Sequence, residues 1–268
     1  MQSRQNCQRH ILLLAGTGEG PKLATAMIDN GWNVTVSVVS HTASWAYSDV
    51  PLTSILVGAL SGVDGIKKTL KKAESLHKGY ECVVDATHPF AEEISANLQK
   101  ACSDFKQRLL RLERPLEHVV GTHLIENVNQ ISKYSLKGKN ILMAIGSRYL
   151  RESVAAVNQS GAKVFARVLP TPESFKKALI SSIHEDALAI IRPWESKNAG
   201  EFERALCRRW SISDVVCRQS GGPTQRLWQE ICCQEKIDLW LVARPKLVDG
   251  VDVVYSVQEV LNAISSDN

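Results

Sequence analysis

Two stretches of the chain gather residue types that bind phosphate or move protons. The first is Ala15-Gly16-Thr17-Gly18-Glu19-Gly20-Pro21, directly behind the apolar run Ile11-Leu12-Leu13-Leu14. Glycines let the backbone turn tightly and approach a ligand where a Cβ would clash. A helix beginning behind such a turn offers unpaired N–H groups and a positive dipole end, which suits a phosphate. Pro21 fits the first helical turn, where its missing N–H would have had no partner. The glycine spacing is not G-x-G-x-x-G, so the turn alone reads equally as a β–α turn without a ligand. The second stretch is Asp85-Ala86-Thr87-His88-Pro89-Phe90, which closes the run Glu81-Cys82-Val83-Val84. Thr87 and His88 bring hydrogen-bonding groups to a helix start, and histidine exchanges a proton near neutral pH. A structural role fits these residues as well, with Thr87 capping the helix and Asp85 bracing the turn.

A third stretch, Val39-Ser40-His41-Thr42, ends the second apolar run, and no acidic residue occurs between Gly31 and Ser48. An acid at this place would accept from the ribose hydroxyls of NAD and repel a 2′-phosphate. Its absence admits NADPH, with Ser40 and His41 as candidate contacts, although His41 reads equally as an exposed loop histidine. Trp45, Tyr47 and Trp194 are candidates for lining a flat ring, and each also suits ordinary packing.

These stretches need a framework that carries them on strand ends. Short apolar runs alternate with amphipathic ones along the whole chain. Strands are expected at His10–Ala15, Asn33–Val39, Ser54–Val57, Glu81–Ala86 and Leu109–Leu112, and again at Asn140–Ile145, Lys163–Arg167, Ala187–Ile191, Asp214–Cys217 and Asp238–Val242. The runs are continuous in Val, Ile and Leu, as in sheets covered by helices on both faces. Between them Leu23, Ala24, Met27 and Ile28 share a helical face, as do Ala91, Ile94, Leu98 and Cys102. The pattern predicts an α/β protein of two Rossmann-like halves with mostly parallel sheets and a cleft between them. With a seam between Pro115 and Gly121, the halves are residues 1–118 and 119–268.

Composition narrows the function classes. The chain has 268 residues, 44% hydrophobic and 22% charged, with a formal charge of +4. That is a globular composition, and the charge balance gives no support to a nucleic-acid or membrane-surface partner. No apolar run approaches the ~18 residues that cross a bilayer, and Met1 to His10 has no signal-like apolar region. A cytoplasmic location is the expectation. The seven cysteines form no C-x-x-C pair and no set with zinc-ligand spacing, so reduced thiols and no metal are expected.

Several segments resemble the precorrin-6A reductase (cobalt-precorrin-6A reductase) family of cobalamin biosynthesis. They are Ile11 to Thr17, the run Val83-Val84-Asp85-Ala86-Thr87-His88-Pro89-Phe90-Ala91, Ile94-Ser95-Ala96-Asn97, and Leu110-Arg111-Leu112-Glu113-Arg114-Pro115. In the second half they are Ala144-Ile145-Gly146-Ser147-Arg148 and Ala166-Arg167-Val168-Leu169-Pro170. The resemblance implies reduction of a ring double bond in precorrin-6A, or its cobalt form, by NADPH to give precorrin-6B. It implies cofactor contacts at Gly16, Thr17, Gly18, Glu19, Ser40, His41, Thr87, His88, Pro89, Gly146 and Arg148. Substrate carboxylates would meet Arg111, Arg114, Arg167 and the run Ser220, Gly221, Gly222, and His88 is the candidate proton donor. Departures occur at Gly18 and Gly20, where the family has Thr and Ala, and near Ile191-Arg192-Pro193-Trp194. At Arg218-Gln219 the family has Lys-Asp. Two other readings are an NADPH-sensing regulatory module and a reductase of another unsaturated tetrapyrrole. A sensor would have no evident use for Arg148, Arg167 and Ser220-Gly221-Gly222.

Overall fold

The computed structural model describes residues 9–77, 79–116, 121–192 and 199–266. Trp194, one candidate for lining a flat ring, lies outside them, as does Cys7. The chain forms two compact units, Met1–Pro115 with Pro245–Asn268, and Leu116–Arg244.

In chain order, β1 (His10–Ala15) leads to α1 (Gly20–Asp29), β2 (Asn33–Val38), the short α2 (His41–Ser44) and β3 (Ser54–Val57). Next come α3 (Gly62–His77), β4 (Cys82–Ala86), α4 (Glu92–Phe105) and β5 (Leu109–Leu112). The following stretch holds β6 (Thr122–Ile125), β7 (Asn140–Met143), α5 (Leu150–Gln159), β8 (Lys163–Val168), α6 (Pro172–Leu179) and β9 (Leu188–Ile190). The chain closes with α7 (Glu201–Arg209), β10 (Asp214–Arg218), α8 (Pro223–Glu235), β11 (Asp238–Val242), β12 (Asp252–Val254) and α9 (Val257–Ser265).

The first unit holds a six-stranded sheet in the order β12-β5-β4-β1-β2-β3, with every neighbouring pair parallel. All six residues of β1 are buried, which explains its unbroken apolar run. On one face Ile11, Leu13, Val36 and Val84 pack with Leu23 and Met27 of α1 and Val260 and Ile264 of α9. On the other, Leu12, Leu14 and Val83 pack with Ile66 and Leu70 of α3 and Leu98 and Cys102 of α4. Helix α1 stops where Gly31 takes φ +82, as its Asn-Gly ending predicts.

The second unit repeats the plan in the order β6-β11-β10-β7-β8-β9, again all parallel. One face of that sheet buries Leu142, Val215, Cys217 and Leu241 beneath Cys207 of α7 and Trp228 and Ile231 of α8. Each sheet is therefore Rossmann-like, with the strand order reversing between β1 and β4 in one and between β7 and β10 in the other.

The sixth strand of each sheet is exchanged. Strand β6 follows β5 in the chain but pairs with β11, whereas β12 follows β11 but pairs with β5. This corrects the expected division at residue 118, because residues 245–268 return to the first unit. Without β12, β5 would leave a row of backbone groups unpaired. Without α9, the core beneath Leu13 and Leu110 would lose Val260 and Ile264. Among the described residues, no helix is long and apolar enough to cross a membrane.

Candidate functional site

In the first unit the order reverses between β1 and β4, where ligands of open α/β sheets sit beyond the strand ends. The register sets Ala15 beside Ala86, so the glycine turn and the Thr87 turn leave the sheet side by side. They are in contact, since a Cβ on Gly16 would come within 3.2 Å of the His88 amide nitrogen and 3.3 Å of Thr87 Cα. Gly18, by contrast, has open space where a Cβ would go. Pro21 lies in the first turn of α1, and Glu19 before it makes no side-chain cap. Within the described residues the amides of Thr17, Gly18 and Glu19 donate no hydrogen bond. The turn is thus a set of unspent donors at a helix start.

Tyr47 closes one side of this turn. A Cβ on Gly20 would run into the Tyr47 hydroxyl and approach Ala15 Cβ to 2.9 Å. The hydroxyl is buried with no hydrogen-bond partner, and burial pushes it up to about 12. The resemblance expects Ala at position 20; in this chain the Tyr47 hydroxyl fills that room. Ser40 and His41 are exposed, and Ser40 Oγ caps α2 by accepting from the Ala43 amide at 3.2 Å. Trp45, on the same loop, is 72% exposed.

The Thr87 turn is held from beneath by a buried polar network. Asp85 Oδ1 accepts from the Thr87 amide at 3.0 Å and from Thr87 Oγ1 at 2.7 Å, and Asp85 Oδ2 accepts from Ser95 Oγ at 2.6 Å. Arg111 lies 2.8 Å from Asp85 Oδ1, donates to Thr87 Oγ1 at 3.0 Å and pairs with Glu113 at 3.1 Å. Asp85 therefore braces the turn. Thr87 does not cap the helix, because α4 begins only after Ala91. Arg111, expected to meet a substrate carboxylate, is 6% exposed and pairs with two internal carboxylates. Its place in β5, alternating with Leu110, directs it inward on the Leu109 face. Arg114 is likewise paired, with Glu19 at 2.9 Å, so two residues expected on ligands hold each other. His88 is half-buried, and its Nδ1 accepts from the Phe90 amide at 3.1 Å. Pro89 borders a cavity of about 200 Å³ on the α4 face, floored by Asp85 and Arg111 and walled in part by Leu247 and Val253.

In the second unit the equivalent reversal lies between β7 and β10. Gly146, at φ +81, turns the chain out of β7 toward Arg148. Arg148 and Arg218 both stand over the Tyr149 ring, at 5.8 and 5.9 Å from its centre. Burial, with the charge of Arg148 adding to it, pulls the Arg218 guanidinium below its ordinary value. Two cations whose charges act on each other would gain from an anion nearby. Ser220, Gly221 and Gly222 are buried; Gly222 begins α8 with no side-chain cap, while the Gly221 amide is spent on Gln225 Oε1 at 2.7 Å. Gln219, where the family has Asp, holds the end of the unit: its side chain accepts from the Arg244 amide and its carbonyl from Arg244 Nε.

Arg167, also expected on a substrate carboxylate, is likewise paired inside the fold. It is 8% exposed and lies 3.3 Å from Glu203, itself 2% exposed. Position 167 shares the inward face with Phe165, which directs the side chain toward α7. The residues that sequence reasoning missed are Ser95, Glu113 and Tyr149. Their signal was positional: Ser95 lies one turn into the helix behind Asp85, Glu113 alternates with Arg111, and Tyr149 follows Arg148.

Comparison with known proteins points the same way. A cobalt-precorrin-6A reductase of Synechocystis sp. is 29% identical over 247 residues, covering 90% of each chain. A precorrin-6A reductase of Mycobacterium tuberculosis is 28% identical over 248 residues, covering 92% of this chain and 93% of the other. A solved structure titled CobK precorrin-6A reductase covers 97% of both chains with a TM-score of 0.74 at 23% identity, a likeness of fold. The family model for the precorrin-6x reductase CbiJ/CobK matches residues 10–265. With nearly the whole chain matched and both sheets built as the motifs require, this protein belongs to the precorrin-6x reductase CbiJ/CobK family.

Proposed function

We propose that this chain reduces a ring double bond of precorrin-6A, or its cobalt form, with NADPH. The observation that carries the reading is the pairing of the two turns in the first unit, where Gly16 packs on Thr87 and His88 before an uncapped helix. The unspent amides of Thr17, Gly18 and Glu19 fit the pyrophosphate of a dinucleotide. Ser40 and His41, exposed and without an acid beside them, suit a 2′-phosphate better than an adenosine diol. When bound, NADPH supplies the hydride that reduces the ring carbon.

The protein's own groups bind and orient. The Asp85, Thr87, Ser95 and Arg111 network fixes the turn against which the cofactor rests, so little ordering remains to be done on binding. Arg148 and Arg218 supply planar donors suited to the carboxylates of a tetrapyrrole. The cysteines described are all free thiols, which suits the reducing cytoplasm. The test is a titration with NADPH and NADH followed by nicotinamide fluorescence, then addition of metal-free and cobalt precorrin-6A. Tighter binding of NADPH and its oxidation only when substrate is present are expected. Binding without NADPH oxidation in the presence of either substrate would remove the reductase reading, and no binding would remove the cofactor.

A further inference from the structure

The loop behind β2 hangs on one side chain. Between Val39 and Val50 only Tyr47 is buried, at 6% exposure, while Ser40, His41, Thr42 and Trp45 are all exposed. Among the described residues the loop's hydrogen bonds are its own. Ser40 Oγ accepts from the Ala43 amide, Ser44 Oγ donates to the His41 carbonyl, and the Val50 amide donates to the Tyr47 carbonyl. The first bond back to the sheet comes at Thr53, whose amide donates to the Val34 carbonyl at 3.0 Å. An open hollow of about 330 Å³, bordered by Ser44, Ser48, Val50 and Ile55, leaves the packing incomplete on the β3 side. Ala43 and Val50 reach the core of the first unit only in part.

What Tyr47 holds on to is the glycine turn. It belongs to the core that contains Ala15, Leu23 and Ala24, and its hydroxyl lies in the space that a Cβ on Gly20 would take. With no hydrogen-bond partner there, the hydroxyl is placed by packing alone. The ring is a stiff wedge with few torsions, so a displacement at its tip passes to the loop. We infer that Tyr47 is a positioning residue for cofactor selection: it sets the span between the glycine turn and the Ser40–His41 end of the loop, and through that span the preference for a 2′-phosphate. The inference rests on the proposed reading, in which the turn takes the pyrophosphate and Ser40 with His41 takes the 2′-phosphate. Both groups hang on one ribose, at its 5′ and 2′ positions, so the ligand has a fixed separation that the protein has to match. NADH lacks the second group and makes no such demand.

Variants of the two residues test this. Dissociation constants for NADPH and NADH, measured by nicotinamide fluorescence, give the preference of each protein. The wild-type protein should favour NADPH. Tyr47→Ala should cut that preference about tenfold or more with NADH binding little changed, because a detached loop has to be ordered on binding. Tyr47→Phe keeps the ring and should keep the preference. Gly20→Ala leaves the loop's own sequence intact and pushes on the hydroxyl from the other side, so it should lower the preference too. Adding Tyr47→Phe to it should restore part of the loss. Hydrogen exchange of residues 40–50 reads the anchor without a ligand. It should quicken in Tyr47→Ala and Gly20→Ala and stay at the wild-type rate in Tyr47→Phe. Equal weakening of both nucleotides by Tyr47→Ala, an unchanged preference or unchanged exchange would each overturn the inference. So would a wild-type protein that binds both nucleotides alike. If Tyr47→Ala fails to fold, Gly20→Ala and its double variant decide alone. Failure of the wild-type protein to bind either nucleotide would remove the cofactor reading instead, while the exchange rates would still decide whether Tyr47 anchors the loop.

Discussion

The hydroxyl of Tyr47 occupies the space that a side chain at Gly20 would need. It does so without a hydrogen bond, although it is buried. Room and polarity are thus in tension at the glycine turn, and the two residues should be energetically coupled. Gly20→Ala should destabilise the protein by about 1–3 kcal/mol through overpacking. Tyr47→Phe should be neutral or stabilising by about 1 kcal/mol, because it deletes a hydroxyl that has no partner. In the double variant part of the Gly20→Ala cost should return, with Ala15 Cβ accounting for the remainder. Denaturant midpoints of the four proteins measure this, and strict additivity would show that the contact carries no energy.

Arg111 and Arg114 are neighbours in sequence with different expected costs. Arg111 serves two buried carboxylates, so Arg111→Met should cost about 3–5 kcal/mol by leaving Asp85 and Glu113 without their cation. Arg114 pairs with a Glu19 whose side chain is 44% exposed, so Arg114→Ala should cost about 1 kcal/mol or less. Thermal unfolding of the two variants side by side checks the order; equal shifts would contradict it.

At the second mouth, Arg218→Ala should raise the KM for the tetrapyrrole about tenfold or more and leave the NADPH dissociation constant unchanged. Arg148→Ala should act on the same parameter, and the two effects should not add, since both groups stand over one ring. A change confined to NADPH affinity would reassign the pair to the cofactor.

The buried thiols predict an alkaline limit to stability. Burial raises Cys82, Cys102, Cys207 and Cys217 from an ordinary 9.0 to about 12. Their folded values lie above the unfolded one, so their contribution is complete below about pH 9 and is lost as pH climbs toward about 12. The melting temperature should fall steadily across that window. Among the described cysteines only Cys233 is exposed, so it should be alkylated first at pH 8 while the others wait for unfolding. Rapid labelling of Cys217 in the folded protein would contradict this.

Much of the scaffold was legible because β1, β2, β4, β7, β8, β10 and β11 are rich in Val, Ile and Leu, whose burial follows from residue type. Strands β6 and β12 were not. They are short and partly exposed, with burial patterns of one buried residue in four and none in three. What makes them strands is a partner more than a hundred residues away in sequence, Leu239 for Thr122 and Leu110 for Asp252. The candidate site shows the same division. The Asp85 turn is local, and its bracing role could be read from the residues. The inward fate of Arg111 and Arg167 depended on which strand face is covered, and an arginine on a strand end gives no sign of that until its carboxylate is in place.

The exchanged sixth strands have a consequence for how the chain is made. When β5 leaves the ribosome, the strand that will cover its edge is still about 140 residues from synthesis, the span from Leu112 to Asp252. At ordinary elongation rates that is a wait on the order of ten to thirty seconds. Throughout it the first sheet shows an open edge, and the floor later covered by α9 is exposed. A stop codon anywhere before β12 therefore leaves the first sheet unfinished however correct its first 115 residues are. The nascent chain must be shielded over an interval that a protein built from consecutive domains would not have.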